Sequence, residues 1–292
     1  MKHYLKTFTL GFCLILVLMW VGSMPMFGRH GMLFGLILGF GLNFFSYWFS
    51  DKIVLRMNGA QAVEERDAPE LYRIVKNLVN KADLPMPKIY SIALPVPNAF
   101  ATGRNPANAA VAVSPSLVQM LSRDELEGVI AHELAHIKNR DILIATMAAC
   151  VAGAITHLAT MAHWAALFGG FGGRRDDDER GGGGLELLAM MIIAPLAATL
   201  IQLAISRSRE YAADESAALM TGKPLALANA LKSIHQAPKM APGSMSPATA
   251  SLFISNPFSA SMLTNLFSTH PPMEQRVARL ENLANKDSGI HS

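Results

Sequence analysis

Cysteine is nearly absent. Cys13 and Cys150 are the two in 292 residues, and both lie inside apolar runs, which excludes a disulfide framework and fits a reducing compartment for the aqueous part of the chain. Charge is scarce too, at 16% of residues against 51% hydrophobic. That composition excludes disorder and a collagen-like fibre, and it is too apolar for an ordinary soluble domain. Neither sign dominates: 25 Lys and Arg against 22 Asp and Glu leave a net charge of +3. The basic residues cluster at the ends of apolar runs rather than in one stripe, so no nucleic-acid partner is expected.

What the chain does have is four long uncharged runs, about 7–28, 31–50, 142–168 and 187–206. Each is long enough to cross a bilayer as a helix. A cleaved signal peptide competes for the first run, but the second follows immediately. A buried helical pair competes for the third and fourth, but both exceed the usual length of a core helix. Between those two lies Gly169 to Gly184, glycines around Arg174 to Arg180, from which no packed core can form. Lys2, Lys6, Lys52, Arg56, Lys138, Arg140, Arg207 and Arg209 flank the runs on one side, and Arg29, Arg174, Arg175 and Arg180 on the other. This asymmetry places both termini in the cytoplasm.

The expected organisation is a transmembrane hairpin over 1–50, a first cytoplasmic block over 51–141, a second hairpin over 142–206 and a second cytoplasmic block over 207–292. In the first block, Asp67 and Pro69 open an amphipathic helix carrying Leu71, Ile74, Val75, Leu78 and Val79, which Asp83 to Pro87 end. Lys88 to Leu94 and Ala109 to Ser114 read as strands, separated by turn residues Gly103 to Asn108. The second block reads as helices between turns, with a loop over Pro238 to Pro247. Helices beside a small sheet mean an α+β domain, mainly helical and split by the second hairpin.

Ser122 and Glu125 form a capping box that opens a helix toward Arg140. On it stand His132, Glu133, Leu134, Ala135 and His136. Histidines at i and i+4 share one face, where both imidazoles reach a single tetrahedral Zn2+. Glu133 sits beside the position left for water and is expected to act as general base, with coincidental histidines on a solvated face as the bland alternative. No third histidine follows at short spacing, so the third ligand must be distant. After the fourth run comes a helical stretch with Glu210 and, one turn later, Asp214. Glu210 is the expected third ligand and Asp214 the acceptor for the second ring N–H of a ligand histidine; a charged juxtamembrane helix is the alternative.

His132-Glu133-x-x-His136 with Asn139, Arg140 and Asp141, followed by Ser206-Arg207-x-x-Glu210-x-x-Ala213-Asp214, resembles the HtpX family of bacterial membrane-bound zinc metalloproteases, relatives of the CAAX prenyl endopeptidases. Pro97-Asn98-Ala99-Phe100-Ala101-x-Gly103 and Thr269-His270-Pro271-Pro272 with Arg276 agree with it, and the likeness covers essentially the whole chain. It implies a zincin-like (gluzincin) cytoplasmic catalytic domain attached to four transmembrane helices in the inner membrane. It further implies one Zn2+ per chain, held by His132, His136 and Glu210, with Asp214, Asp141 and Arg276 around the ligands. The implied substrates are unfolded or damaged membrane proteins, in quality control under stress.

Asn98, Ala99 and Phe100 are expected to form an edge-strand cradle for extended substrate, a plain turn being the alternative. His270 is a candidate for stabilising the oxyanion or for occupying the open zinc position, unless it only enters a helix beside Pro271. Arg276 is open to pairing with Asp214 or Glu210, or to simple exposure. His157 and His163, inside the third run, read as satisfied by neighbouring helices. At about 1.5 Å per helical residue, the short step from His136 to the third run puts the zinc within roughly 10 Å of the membrane interface. Two other functions share these features: a non-catalytic zinc-stapled membrane adaptor, closed by His270 as fourth ligand, and a prenylated-peptide endoprotease, for which four spans leave little room.

Overall fold

The computed structural model describes residues 29–147, 207–238 and 271–289, with 11–12, 14–16, 18–20, 23 and 253–254. Parts of the first apolar run, nearly all of the third and fourth, His157, His163, the glycine-rich connection, the loop beyond Pro238 and His270 lie outside the described residues.

The second apolar run forms helix α1 (Gly31–Met57). It is the one helix among the described residues long and apolar enough to cross a membrane. Its 27 residues correspond to roughly 40 Å at helical rise. The hydrocarbon core is about 30 Å thick, so the helix has length to spare. Phe34, Ile37, Phe40 and Phe44 are exposed along it. Its small residues face the first run: a side chain at Gly35 would collide with the Leu18 carbonyl, and Asn43 Nδ2 donates to the Gly11 carbonyl at 3.1 Å.

The sheet contains β1 (Ala60–Ala62), β2 (Lys88–Ile92), β3 (Ala99–Gly103) and β4 (Ala109–Val113), in the order β1-β2-β4-β3. β2 and β4 are parallel, and the two outer pairings are antiparallel. β2 stops at Ile92 rather than Leu94 because Leu94 N–H turns back onto the Ile92 carbonyl. β1, too short for any periodicity to announce it, pairs Ala60 with Ile92. Gly103 has φ +138, and a Cβ there would collide with the Asn108 carbonyl oxygen, so the turn from β3 to β4 requires glycine.

Alternation along the strands sorts two cores. Val111, Val113, Ala99 and Ala101 face the helices, whereas Ala110, Ala112, Phe100 and Ile92 pack with Val54 and Leu55 at the end of α1. The apolar helix is thereby seated on the back of the sheet. On the front lie α2 (Pro69–Ala82) and α4 (Arg123–Lys138), with the short α3 (Pro115–Met120) between β4 and α4. Helix α2 buries the predicted stripe of Leu71, Ile74, Val75, Leu78 and Val79. It starts at Pro69 without a side-chain cap; Asp67 instead closes a backbone turn onto Glu64.

The second block supplies α5 (Arg207–Thr221), α6 (Pro224–Gln236) and α7 (Met273–Gly289), all packed with α4 or with each other. Gly128 of α4 lies against Leu227 of α6, where an added Cβ would come 3.1 Å from the Leu227 Cα. The result is an α+β, mainly helical unit.

Candidate metal centre

Helix α4 begins with the predicted capping box: Ser122 Oγ accepts from Glu125 N–H, and the Glu125 carboxylate accepts from Ser122 N–H at 2.8 Å. Its buried apolar face fixes its rotation, so His132 and His136 turn together toward α5. The two helices pack against each other, and Ala131, Ala135, Ala213 and Ala217 on them are completely buried. Small residues at the contact bring the axes close enough for one carboxylate to reach both imidazoles.

That carboxylate is Glu210. The Nε2 atoms of His132 and His136 lie 3.2 Å apart. Glu210 Oε2 is 3.7 Å from His132 Nε2, and Oε1 is 3.5 Å from His136 Nε2. A tetrahedral zinc with bonds of about 2.0–2.1 Å has ligand atoms about 3.3 Å apart, so the spacing fits. Charge fits as well. Among the described residues, Glu133, Asp141, Glu210 and Asp214 are buried here beside the arginines Arg209 and Arg276, a surplus of carboxylates that suits a divalent cation. The structure thus assembles, from two segments far apart in sequence, the three residues expected to hold the metal.

Glu133 is buried beside them and accepts a 2.7 Å hydrogen bond from Ala101 N–H. Burial raises its pKa and Glu210 adds to the rise, against the two histidines and the Ala101 hydrogen bond, which lower it. For His136, burial lowers the pKa, but the Asp141 hydrogen bond and the carboxylates of Glu210 and Glu133 prevail and push it up to about 9. A metal binding at Nε2 would have to displace that proton.

Each ligand histidine is backed by a carboxylate, and each carboxylate by an arginine. Asp214, one turn after Glu210, places Oδ1 2.9 Å from His132 Nδ1. Arg276 of α7, wholly buried, grips Asp214 through Nε at 2.8 Å and Nη2 at 2.6 Å, and sets Nη1 3.6 Å from Glu210 Oε2. Of the alternatives open for Arg276, the structure selects pairing over exposure. Burial raises the Asp214 pKa, but the charge and hydrogen bonds of Arg276 overcome it and bring it down to about 2.

Behind His136 the carboxylate comes from the end of the same helix. The Arg140 N–H bonds to the Ile137 carbonyl and the Asp141 N–H to the His136 carbonyl, the paired bonds of a Schellman turn. Arg140 takes the left-handed conformation, φ 59, where glycine is usual. This folds Asp141 back so that Oδ2 lies 3.5 Å from His136 Nδ1 while Oδ1 lies 3.7 Å from Arg209 Nε. Arg209 appeared in the sequence only as a flanking basic residue; its place beside Asp141 is set by packing that no local pattern announces.

The segment Asn98 to Phe100 does lie on the outer strand. Its side chains, however, point inward: Asn98 and Phe100 are buried, Asn98 Oδ1 accepting from Ile254 N–H and Phe100 packing against α1. Ser114 N–H bonds to the Asn98 carbonyl, which directs the even-numbered residues toward β4 and the main-chain groups of Ala99, Ala101 and Gly103 away from it. Thr102 is joined to Thr146 at the start of the third run by a 3.1 Å hydrogen bond between their hydroxyls. His270 lies outside the described residues, directly before Pro271.

Residues 65–284 match the model of peptidase family M48. A protein named Protease HtpX homolog from Thermodesulfovibrio yellowstonii is 56% identical over 284 residues, covering 97% of this chain and 99% of that one. Its namesake from Aquifex aeolicus is 51% identical over 260 residues, covering 89% and 86%. The crystal structure of S. mikatae Ste24p shares the fold, with a TM-score of 0.50 at 19% identity, over 96% of this chain and 66% of that one. The expected family, zincin-like fold and zinc-dependent peptidase chemistry are borne out.

Proposed function

The chain belongs to peptidase family M48, whose members are zinc metallopeptidases, and on that premise we propose that it is an integral inner-membrane endopeptidase cutting misfolded or damaged membrane proteins on the cytoplasmic side. The observation that carries the reading is the convergence of His132, His136 and Glu210 with the Glu133 carboxylate between them and the outer strand β3.

In this reading His132, His136 and Glu210 hold the zinc, which when bound supplies Lewis-acid polarisation of the scissile carbonyl and acidifies water. Glu133 takes the proton from the attacking water and delivers it to the leaving nitrogen. Asp214 and Asp141 hold the imidazoles with Nδ1 donating, which leaves Nε2 free to ligate, and Arg276 locks Asp214. An extended substrate pairs with the outward main-chain groups of Ala99 and Gly103 and the Ala101 carbonyl, the Ala101 N–H being held by Glu133. The cradle is then made of backbone, and the side chains of Asn98 and Phe100 hold the strand in place. His270, six residues before Arg276 in the chain, is the candidate for stabilising the oxyanion or for occupying the open zinc position.

Helix α1 supports a membrane location. Read with the other three apolar runs, it makes four spans, and the excess of basic flanks puts the site on the cytoplasmic face.

The test compares wild type with Glu133→Gln, purified in detergent, freed of metal and incubated with an unfolded protein with and without zinc. Mass spectrometry of the products is combined with metal analysis. We expect zinc-dependent fragments from wild type alone, with both proteins binding one zinc. A fully active Glu133→Gln protein would remove Glu133 as base. One bound zinc in wild type without fragments would instead favour a client-holding role.

A further inference from the structure

We propose that Arg209 is a positioning residue of the metal centre, holding Asp141 so that the carboxylate orients His136; the inference rests on reading His132, His136 and Glu210 as the metal ligands. Three observations carry it. First, one carboxylate bridges the two groups: Asp141 Oδ2 faces His136 Nδ1 at 3.5 Å and Oδ1 faces Arg209 Nε at 3.7 Å. Second, the arrangement repeats what stands behind the other ligand, where Asp214 bridges His132 and Arg276. A histidine–aspartate–arginine series on both imidazoles of one site points to a shared purpose rather than to filling space.

Third, Asp141 needs such a partner. The Schellman turn fixes the backbone of Asp141 but does not by itself set its side-chain torsions, and the turn is held at a left-handed non-glycine residue, Arg140. Asp141 is itself buried, so its carboxylate has to be balanced from inside the protein. Arg209, 9% exposed and in the first turn of α5, offers a cation there. With the carboxylate held inward, the proton of His136 stays on Nδ1 and the Nε2 lone pair stays aimed at the metal. Arg209 also precedes Glu210 in the chain, so the same turn of α5 presents one ligand directly and steadies another indirectly.

The experiment uses the full chain in detergent. It measures the zinc dissociation constant by chelator competition, the absorption bands of the cobalt-loaded protein, and the melting midpoint of the metal-free protein. For Arg209→Gln we expect zinc affinity to fall roughly 10- to 100-fold, the range found when a ligand's supporting partner is removed, with shifted cobalt bands and a metal-free protein that still melts cooperatively. Arg209→Lys, which keeps the cation, should recover part of the loss. Because Arg209 acts through Asp141, the double variant Asp141→Asn/Arg209→Gln should bind zinc no more weakly than Asp141→Asn alone. Wild-type affinity and an unshifted cobalt spectrum in Arg209→Gln, or independent losses that multiply in the double variant, would overturn the proposal. Should Arg209→Gln not fold, the same cycle is run with Arg209→Met, which also removes the cation, and decides in the same way. A wild-type chain that binds no zinc would overturn the metal reading itself, a result distinct from failure of the Arg209 assignment.

Discussion

His132 and His136 stand one helical turn apart, yet the two are held by different means. Behind His132, three elements meet: α4 gives the ligand, α5 gives Asp214 and α7 gives Arg276, joined by contacts of 2.6–2.9 Å. Behind His136, the carboxylate comes from the turn that ends α4 itself, and the contacts lengthen to 3.5 and 3.7 Å. One arm binds the fold together; the other is a local turn with a distant clasp. The placement of the two imidazoles relative to each other can thus be set by helical spacing alone, whereas the strength with which each is held depends on how many elements its supports come from.

This ordering makes testable claims. The largest effect is expected from Asp214→Ala, which strands the fully buried guanidinium of Arg276. Removing one partner of a buried ion pair typically costs about 3–5 kcal/mol, and denaturant titration should show a loss of that size, with or without zinc. Asp141→Ala should cost less, about 1–3 kcal/mol, because Arg209 lies nearer the surface than Arg276 and its contact with the carboxylate is longer. An equal or larger loss from Asp141→Ala than from Asp214→Ala would reverse the proposed ranking of the arms. The smallest effect is expected from Ser122→Ala, which removes the N-cap of the helix that carries both histidines. A loss of about 1 kcal/mol is anticipated, the same with and without zinc, because the cap is common to both arms and touches neither.

The site was legible in unequal parts. The capping box, the helix and the paired histidines followed from local spacing, and α4 has the predicted beginning and facing. Glu210 and Asp214 were found from the chemistry the site still lacked, and α5 brings both to it. Asn98, Ala99 and Phe100 were read as an edge-strand cradle; the strand is the outer one of the sheet, and the side chains of Asn98 and Phe100 are buried. Charge-poor sequence marks an edge strand without telling which face of each residue is open. Arg209 escaped notice because a basic residue beside an apolar run already has an explanation in membrane topology.

The amino-acid sequence by itself determined the metal chemistry, the helix that presents it and the apolar runs, because these depend on residue type and on periodicity within one element. The tertiary structure alone decided which carboxylate steadies which imidazole, that Arg276 is buried rather than exposed, and that α1 is seated on the back of the sheet through Val54, Leu55 and Phe100. Those are contacts between segments far apart in the chain. Their geometry is set by how small side chains such as Ala131 and Ala213 let two helices approach, a property of the packed interface that neither helix carries alone.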